Sequence, residues 1–168
     1  YEYGYYFFEF NFPVDYPFSP PTLVYSTNDC YMRFHPNYYK CGKVCLSVLN
    51  TWRGEQWTSC QTISSVLLTV ASLFDKKPLL NEPGVYETHK DFETYNKLVR
   101  FKNYQVAIYR MLSKHKQDFP EKFERFYEEM EKYYKLNRMN ILNNVKSLKT
   151  DDGIYKTSMY NLHVKIDY

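Results

Sequence analysis

The hydrophobic period of this chain changes from two to 3.6 residues part-way along, and that order of periods narrows the folds open to it. Residues 3–12 alternate, with Tyr6, Phe8, Phe10 and Phe12 on one face and Tyr5, Phe7, Glu9 and Asn11 on the other. Period two is the signature of a strand. Pro13 ends it, because proline brings no N–H to a ladder. The run PVDYPFSPP fixes the backbone at four prolines and reads as a rigid loop. TLVYST, 22–27, predicts the next strand, and residues 31–34 predict another short one. Residues 35–61 read as largely irregular, and a stretch of that length inside a compact domain usually serves a function.

Helical spacing follows. Ile63, Val66, Leu67, Val70, Leu73 and Phe74 predict one helix, with Thr58 and Gln61 as a capping box and Ser59 as the competing cap. Pro78 stops it, and NEPG, 81–84, is a turn. Residues 88–115 predict one or two helices through Phe92, Tyr95, Val99, Val106, Tyr109 and Leu112. Residues 120–135 predict an amphipathic helix with Phe123, Phe126, Tyr127, Met130 and Tyr134 in one stripe, opened by Pro120. A polar stretch, 137–153, ends in the turn dipeptide Asp152-Gly153. The last segment alternates weakly, which predicts that residues 157–168 pack against the sheet or fill its open edge. Strands first and helices later make an α+β domain with an antiparallel sheet.

Composition agrees with a folded core. Hydrophobic residues are 44% of 168, aromatic residues are 20%, and nineteen tyrosines account for a mean hydropathy of −0.61. Many ring hydroxyls therefore need a partner or water. The net charge is +3. Residues 1–75 carry four basic and six acidic side chains, so the positive excess lies in the remainder. No basic run points to nucleic acid. No apolar stretch approaches the ~20 residues that span a bilayer, and no signal peptide is visible.

Cys30, Cys41, Cys45 and Cys60 form no CxxC pair. A disulfide framework does not suit a chain this rich in core residues. A zinc site built on His35, Cys41 and Cys45 lacks a fourth ligand at a usual spacing. Free thiols in a reducing compartment, cytoplasm or nucleus, are the expectation. The bland reading of each cysteine is a small buried hydrophobe.

The ordered motifs single one of them out. FNFPVDYPFSPPTLVYST, then HPNYYKCGKVCLSVL, then a tryptophan, a helix and NEPG resemble the ubiquitin-conjugating domain over roughly residues 1–112. His35-Pro36-Asn37 followed eight residues later by Cys45-Leu46 matches the family's active site. Trp57 stands twelve residues after Cys45, a wider spacing that resembles the large, C-terminally extended subfamily. The resemblance implies an antiparallel meander packed with helices over 1–115 and a helical extension over 116–168. It further implies that the family's N-terminal helix and first strand are missing ahead of Tyr1.

The resemblance implies a chemistry as well. Cys45 would be the thioester nucleophile, which needs a thiolate and access to solvent. Asn37 would either steady the oxyanion or brace the loop; losing one oxyanion donor typically costs ~2.7–4 kcal/mol of barrier. His35 and Pro36 would support the loop rather than act as a base. Glu82 matches the acid that receives the incoming lysine, or else caps a turn. Pro17 and Phe18, with Ser59 in the second loop, match the ligase contacts, although Thr58-Ser59-Cys60 lacks the proline and alanine that short members often carry. The implied partners are ubiquitin or a ubiquitin-like protein, an activating enzyme that spends the ATP, a ligase and a protein substrate. No metal or organic cofactor is implied. Two other readings are a non-catalytic ubiquitin-binding scaffold of the same fold and an unrelated cysteine hydrolase. The hydrolase would need His89, His115 or His163 to serve as base.

Overall fold

The computed structural model describes residues 1–113 and 119–168. His115, the end of the helical prediction over 88–115, and the boundary drawn between 115 and 116 lie outside the described residues. The chain forms two compact units, one of Phe8–Glu87 and one of Tyr1–Phe7 with Thr88–Tyr168.

In the unit Phe8–Glu87, β1 (Phe8–Asn11) pairs antiparallel with β2 (Thr22–Tyr25), Phe8 opposite Tyr25 and Asn11 opposite Thr22. The strand is shorter than the alternation over 3–12 suggested. Isolated antiparallel bridges extend the pairing, Val24 to Lys43 and Tyr38 to Val44. Residues 31–34 are not a strand, though Met32 and Phe34 are fully buried. The Asp29 carboxylate takes the N–H groups of Tyr31 and Met32 at 3.1 and 2.7 Å, so this backbone is satisfied by a side chain instead of a ladder.

Helix α1 spans Ile63–Ser72. Its cap is Thr62, not Thr58 or Ser59: Thr62 accepts from the Ser65 N–H and Ser65 Oγ accepts from the Thr62 N–H. Thr58 instead closes a turn by accepting the Gln61 N–H. Val66 and Val70 are the buried residues of α1, while Leu67 faces solvent. The core here is aromatic. Tyr38 is fully buried against Phe8, Tyr25 and Phe74, with ring centroids at 5.3, 5.5 and 5.3 Å, and its hydroxyl donates to the Val70 carbonyl at 2.8 Å.

In the other unit, α2 (Phe92–Lys102) continues as a π-helical stretch, Asn103–Arg110, into the short α3, Met111–Ser113. The wider turn resets the buried face. Val106, Ala107 and Ile108 are therefore covered while Tyr109, expected on the stripe, is exposed. The N-terminal segment is sewn onto this stretch. The Tyr5 N–H donates to the Ala107 carbonyl, Tyr6 donates to Asn103 Oδ1 at 2.6 Å, and Asn103 donates to the Glu2 carbonyl. Burial holds the Tyr6 hydroxyl well above its ordinary pKa. Gly4 is what permits this approach, since a Cβ there would lie 2.2 Å from Asn103 Oδ1.

A 3₁₀ segment, Glu121–Phe126, leads into α4, Tyr127–Leu148. The helix absorbs most of the polar stretch over 137–153 and runs well past the end at 135 that the stripe predicts. Its outer face mixes polar residues with the exposed Leu136 and Met139, and Ile141 alone beyond Met130 is buried. Phe7 stacks on Phe123 at 4.6 Å and meets Phe119 edge-on at 5.7 Å, within a cluster that includes Tyr127 and Met130.

The C-terminal segment does not fill the edge of the β1–β2 sheet, as its alternation had suggested. β3 (Gly153–Thr157) and β4 (Leu162–Ile166) pair with each other as a separate hairpin. Its partner is α2. Tyr160 packs on Tyr95, Lys97 pairs with Asp151 at 2.7 Å, and Asp91 accepts from Ser158 Oγ and the Met159 N–H at 2.6 and 2.8 Å. Asp91 stands at the head of α2 but makes no capping bond there, because its carboxylate is committed to the hairpin.

Desolvation alone would push the Asp91 carboxyl up, but the bonds from Ser158 and Met159, with Lys90 and His89 nearby, leave it below the ordinary range. A carboxyl depressed by folding stabilises above its unfolded pKa and loses that contribution as pH falls through the folded value. Asp91→Ala should therefore cost about 1.5–3 kcal/mol at neutral pH. In urea melts, the gap from the wild type should close below pH ~4.

Candidate active site

Why Asn37 and Cys45 stand eight residues apart is visible in the backbone. Residues 37–45 form a narrow hairpin-like excursion. The Cys45 N–H donates to the Asn37 carbonyl at 2.9 Å, Tyr38 bridges Val44, and the Tyr39 N–H donates to the Lys43 carbonyl at 2.9 Å. The turn closes at Lys40-Cys41-Gly42, where the Gly42 N–H returns to the Tyr39 carbonyl. Gly42 has φ +90, a conformation open to glycine at little cost. The motif spacing is thus a register: Asn37 lies opposite Cys45.

Side chains lock that register. Asn37 Nδ2 donates to the Cys45 carbonyl at 2.7 Å. The Asn37 N–H donates to His35 Nδ1 at 3.0 Å, and the Arg33 guanidinium, lying over the Tyr39 ring at 3.8 Å, holds the Pro36 carbonyl. His35 is fully buried and packs on Tyr38 at 5.0 Å. Because Nδ1 accepts, the neutral ring carries its proton on Nε2, which is buried without a hydrogen-bond partner among the described residues. Desolvation, with the Arg33 charge adding to it, pushes His35 down to about 3. A neutral, immobile ring supports the loop.

Cys45 itself departs from expectation. The thiol was expected at the surface, yet the residue is only 3% exposed, while Cys30, Cys41 and Cys60 are open; all four are free. Val44, Cys45 and Leu46 are buried in succession, so the segment is covered on both sides here. Leu46, next to it, is tied down. Its N–H donates to Thr51 Oγ1 at 2.8 Å, and the Thr51 N–H returns to the Leu46 carbonyl at 3.1 Å. Between them lies the 3₁₀ turn Ser47–Leu49, closed by Asn50 in the left-handed region. Nothing about a lone threonine in TWRGEQW marked it out in sequence.

The chain belongs to the ubiquitin-conjugating enzyme family. The family model described as "Ubiquitin-conjugating enzyme" matches residues 1–103. Ubiquitin-conjugating enzyme E2 Z of Xenopus tropicalis is 44% identical over 115 residues, covering 67% of this chain and 37% of that protein. The human protein of the same name is likewise 44% identical, with 67% of this chain and 32% of that protein covered. Probable ubiquitin-conjugating enzyme protein 17 of Caenorhabditis elegans is 35% identical over 144 residues, covering 83% of this chain and 20% of that protein. The chain thus spans about a third of the length of its E2 Z relatives.

Other candidate residues of this family member fall as follows. Glu82 ends the 3₁₀ turn Pro78–Asn81; its N–H donates to the Leu79 carbonyl and its carbonyl accepts from Val85. The bonds that set its backbone are those of its own turn. Pro17 and Ser59 belong to loops joined by Trp57, whose Nε1 donates to the Pro17 carbonyl at 2.7 Å while its N–H donates to Asn50 Oδ1. Phe18 is 80% exposed, so it does not seal the sheet edge. Among the described residues, no three His, Cys, Asp or Glu side chains cluster as metal ligands, and no helix is long and apolar enough to cross a membrane.

A histidine depressed by folding is protonated more readily when unfolded, so stability is full above pH ~6.5 and falls as pH drops toward the folded value. Between pH 6 and 4, His35 should add a slope approaching ~1.4 kcal/mol per pH unit to the unfolding free energy. His35→Gln should flatten it; an unchanged slope in denaturant titrations would exclude a neutral buried His35.

Proposed function

We propose that this chain takes ubiquitin or a ubiquitin-like protein from an activating enzyme as a thioester on Cys45. It then passes the modifier to a substrate lysine or to a ligase. The observation that carries this reading is the hairpin register that sets Asn37 against Cys45 within the family's motif. In the first step the Cys45 thiolate attacks the carbonyl of the modifier's C-terminal glycine, and the activating enzyme's thiolate leaves. In the second, a deprotonated lysine attacks the new thioester. A tetrahedral oxyanion forms and collapses, an isopeptide bond is made, and the Cys45 thiolate departs. ATP is spent by the activating enzyme; this chain needs no metal or organic cofactor.

The roles divide along the geometry. One Asn37 amide N–H already holds the Cys45 carbonyl, which favours bracing as its resting role. The N–H groups of Cys45 and Leu46 are also taken, by the Asn37 carbonyl and by Thr51. An oxyanion formed on Cys45 must therefore draw on side-chain donors, and the second Asn37 N–H is the candidate. His35 and Pro36 shape the loop. Glu82 receives the proton or orients the amine of the attacking lysine. The loops of Pro17, Phe18 and Ser59 receive a ligase, and the place of work is the cytoplasm or nucleus. Residues 1–115 form the conjugating core and 116–168 its extension. The retained Cys45 weighs against a non-catalytic scaffold.

A loading assay decides. With activating enzyme, ATP and ubiquitin, the full-length protein should form an adduct that reductant removes. Cys45→Ser should give an adduct that resists reductant, Cys45→Ala none, and Cys41→Ala one like the wild type. Loading that survives Cys45→Ala would sink the assignment.

A further inference from the structure

Cys45 is gripped from both sides. On one side, Asn37 takes its N–H and its carbonyl at 2.9 and 2.7 Å. On the other, Thr51 spans the residues flanking it. Thr51 Oγ1 accepts the Leu46 N–H at 2.8 Å and lies 3.2 Å from the Val44 carbonyl and 3.1 Å from that of Leu46. Its one proton serves a single carbonyl at a time, so the hydroxyl is shared across the nucleophile. The segment behind Thr51 is fixed. Gly54 folds against Ser47, Gln56 bonds the carbonyls of Trp52 and Gly54, and Trp57 holds Asn50. Thr51 itself is exposed, while Cys45 and Leu46 are not. A latch at the surface therefore ties down the backbone on both sides of a covered residue.

We infer that Thr51 is a positioning residue that holds the Cys45 peptide in its covered conformation and fixes the sulfur for transfer. Its opening admits the incoming modifier. This rests on Cys45 being the nucleophile. The opening itself is measurable without ubiquitin.

Three full-length proteins test it: wild type, Thr51→Val, which keeps the shape and loses the hydroxyl, and Thr51→Ser, which keeps the hydroxyl. Iodoacetamide labelling of the Cys45 peptide is followed by mass spectrometry. Losing the bonds should raise the Cys45 rate about tenfold in Thr51→Val, with Thr51→Ser within about twofold of wild type. On preloaded protein, Thr51→Val should lower kcat for discharge to free lysine and leave KM for lysine unchanged, and Thr51→Ser should restore it. If Thr51→Val does not fold, Thr51→Ala carries the same expectations. Wild-type labelling in the hydroxyl-free variant, or a serine variant that behaves like valine, overturns the latch. A wild type that never loads ubiquitin would instead overturn the proposed function, and the labelling rates would still decide the role of Thr51.

Discussion

The Tyr38 ring is wedged among Phe8, Tyr25, Phe74 and His35, and its hydroxyl is tied to the Val70 carbonyl on α1. Its backbone pairs with Val44, one residue from the thiol. Strand, helix and the loop of Cys45 therefore share one side chain. A buried phenol needs a partner for its hydroxyl, and burial keeps that hydroxyl protonated far above its ordinary pKa. The polar end thus specifies where the ring must sit, and the ring specifies where Asn37 and Cys45 must sit. His35 extends the same logic: a neutral imidazole, packed on Tyr38, accepts the Asn37 N–H and orients the residue that faces the thiol.

Positioning a nucleophile and exposing it are opposed demands. Each hydrogen bond around Cys45 narrows the positions its sulfur can reach. The residue is also covered. One side is anchored through the half-buried Asn37 in its hairpin, and the other through a threonine at the surface. Within the wide Cys45-to-Trp57 spacing, Gly54 folds back onto Ser47, two residues after Cys45.

How much could be read in advance depended on whether the signal was local. The alternation of Phe8 and Phe10 located β1, and the spacing of Val66 and Val70 located α1. The Asn37-to-Cys45 spacing singled out one thiol of four. Other elements misled for identifiable reasons. Met32 and Phe34 alternate and are buried, yet Asp29 satisfies the backbone, so no strand forms. The polar residues past Asn137 continue α4, because a helix with a single buried side chain over three turns shows little periodicity. The Cys45 burial and the Thr51 bonds left no mark in the sequence at all, since any loop threonine would look the same.

By itself, the sequence determined the order of elements, the aromatic character of the core and the identity of the motif around Cys45. Those properties follow from side-chain size, periodicity and spacing along the chain. Only the tertiary structure decided that the thiol is covered, that Asn37 spends an amide proton on bracing, and that the last strands pair with each other against α2. Each of those outcomes turns on which polar group finds which partner once the chain has folded. The Asp91 carboxylate chose Ser158 over its own helix end, and the Leu46 N–H chose Thr51 over a neighbouring strand. Such choices are settled by the cost of leaving a buried donor or acceptor unpaired, a quantity that exists only once the chain has closed around it.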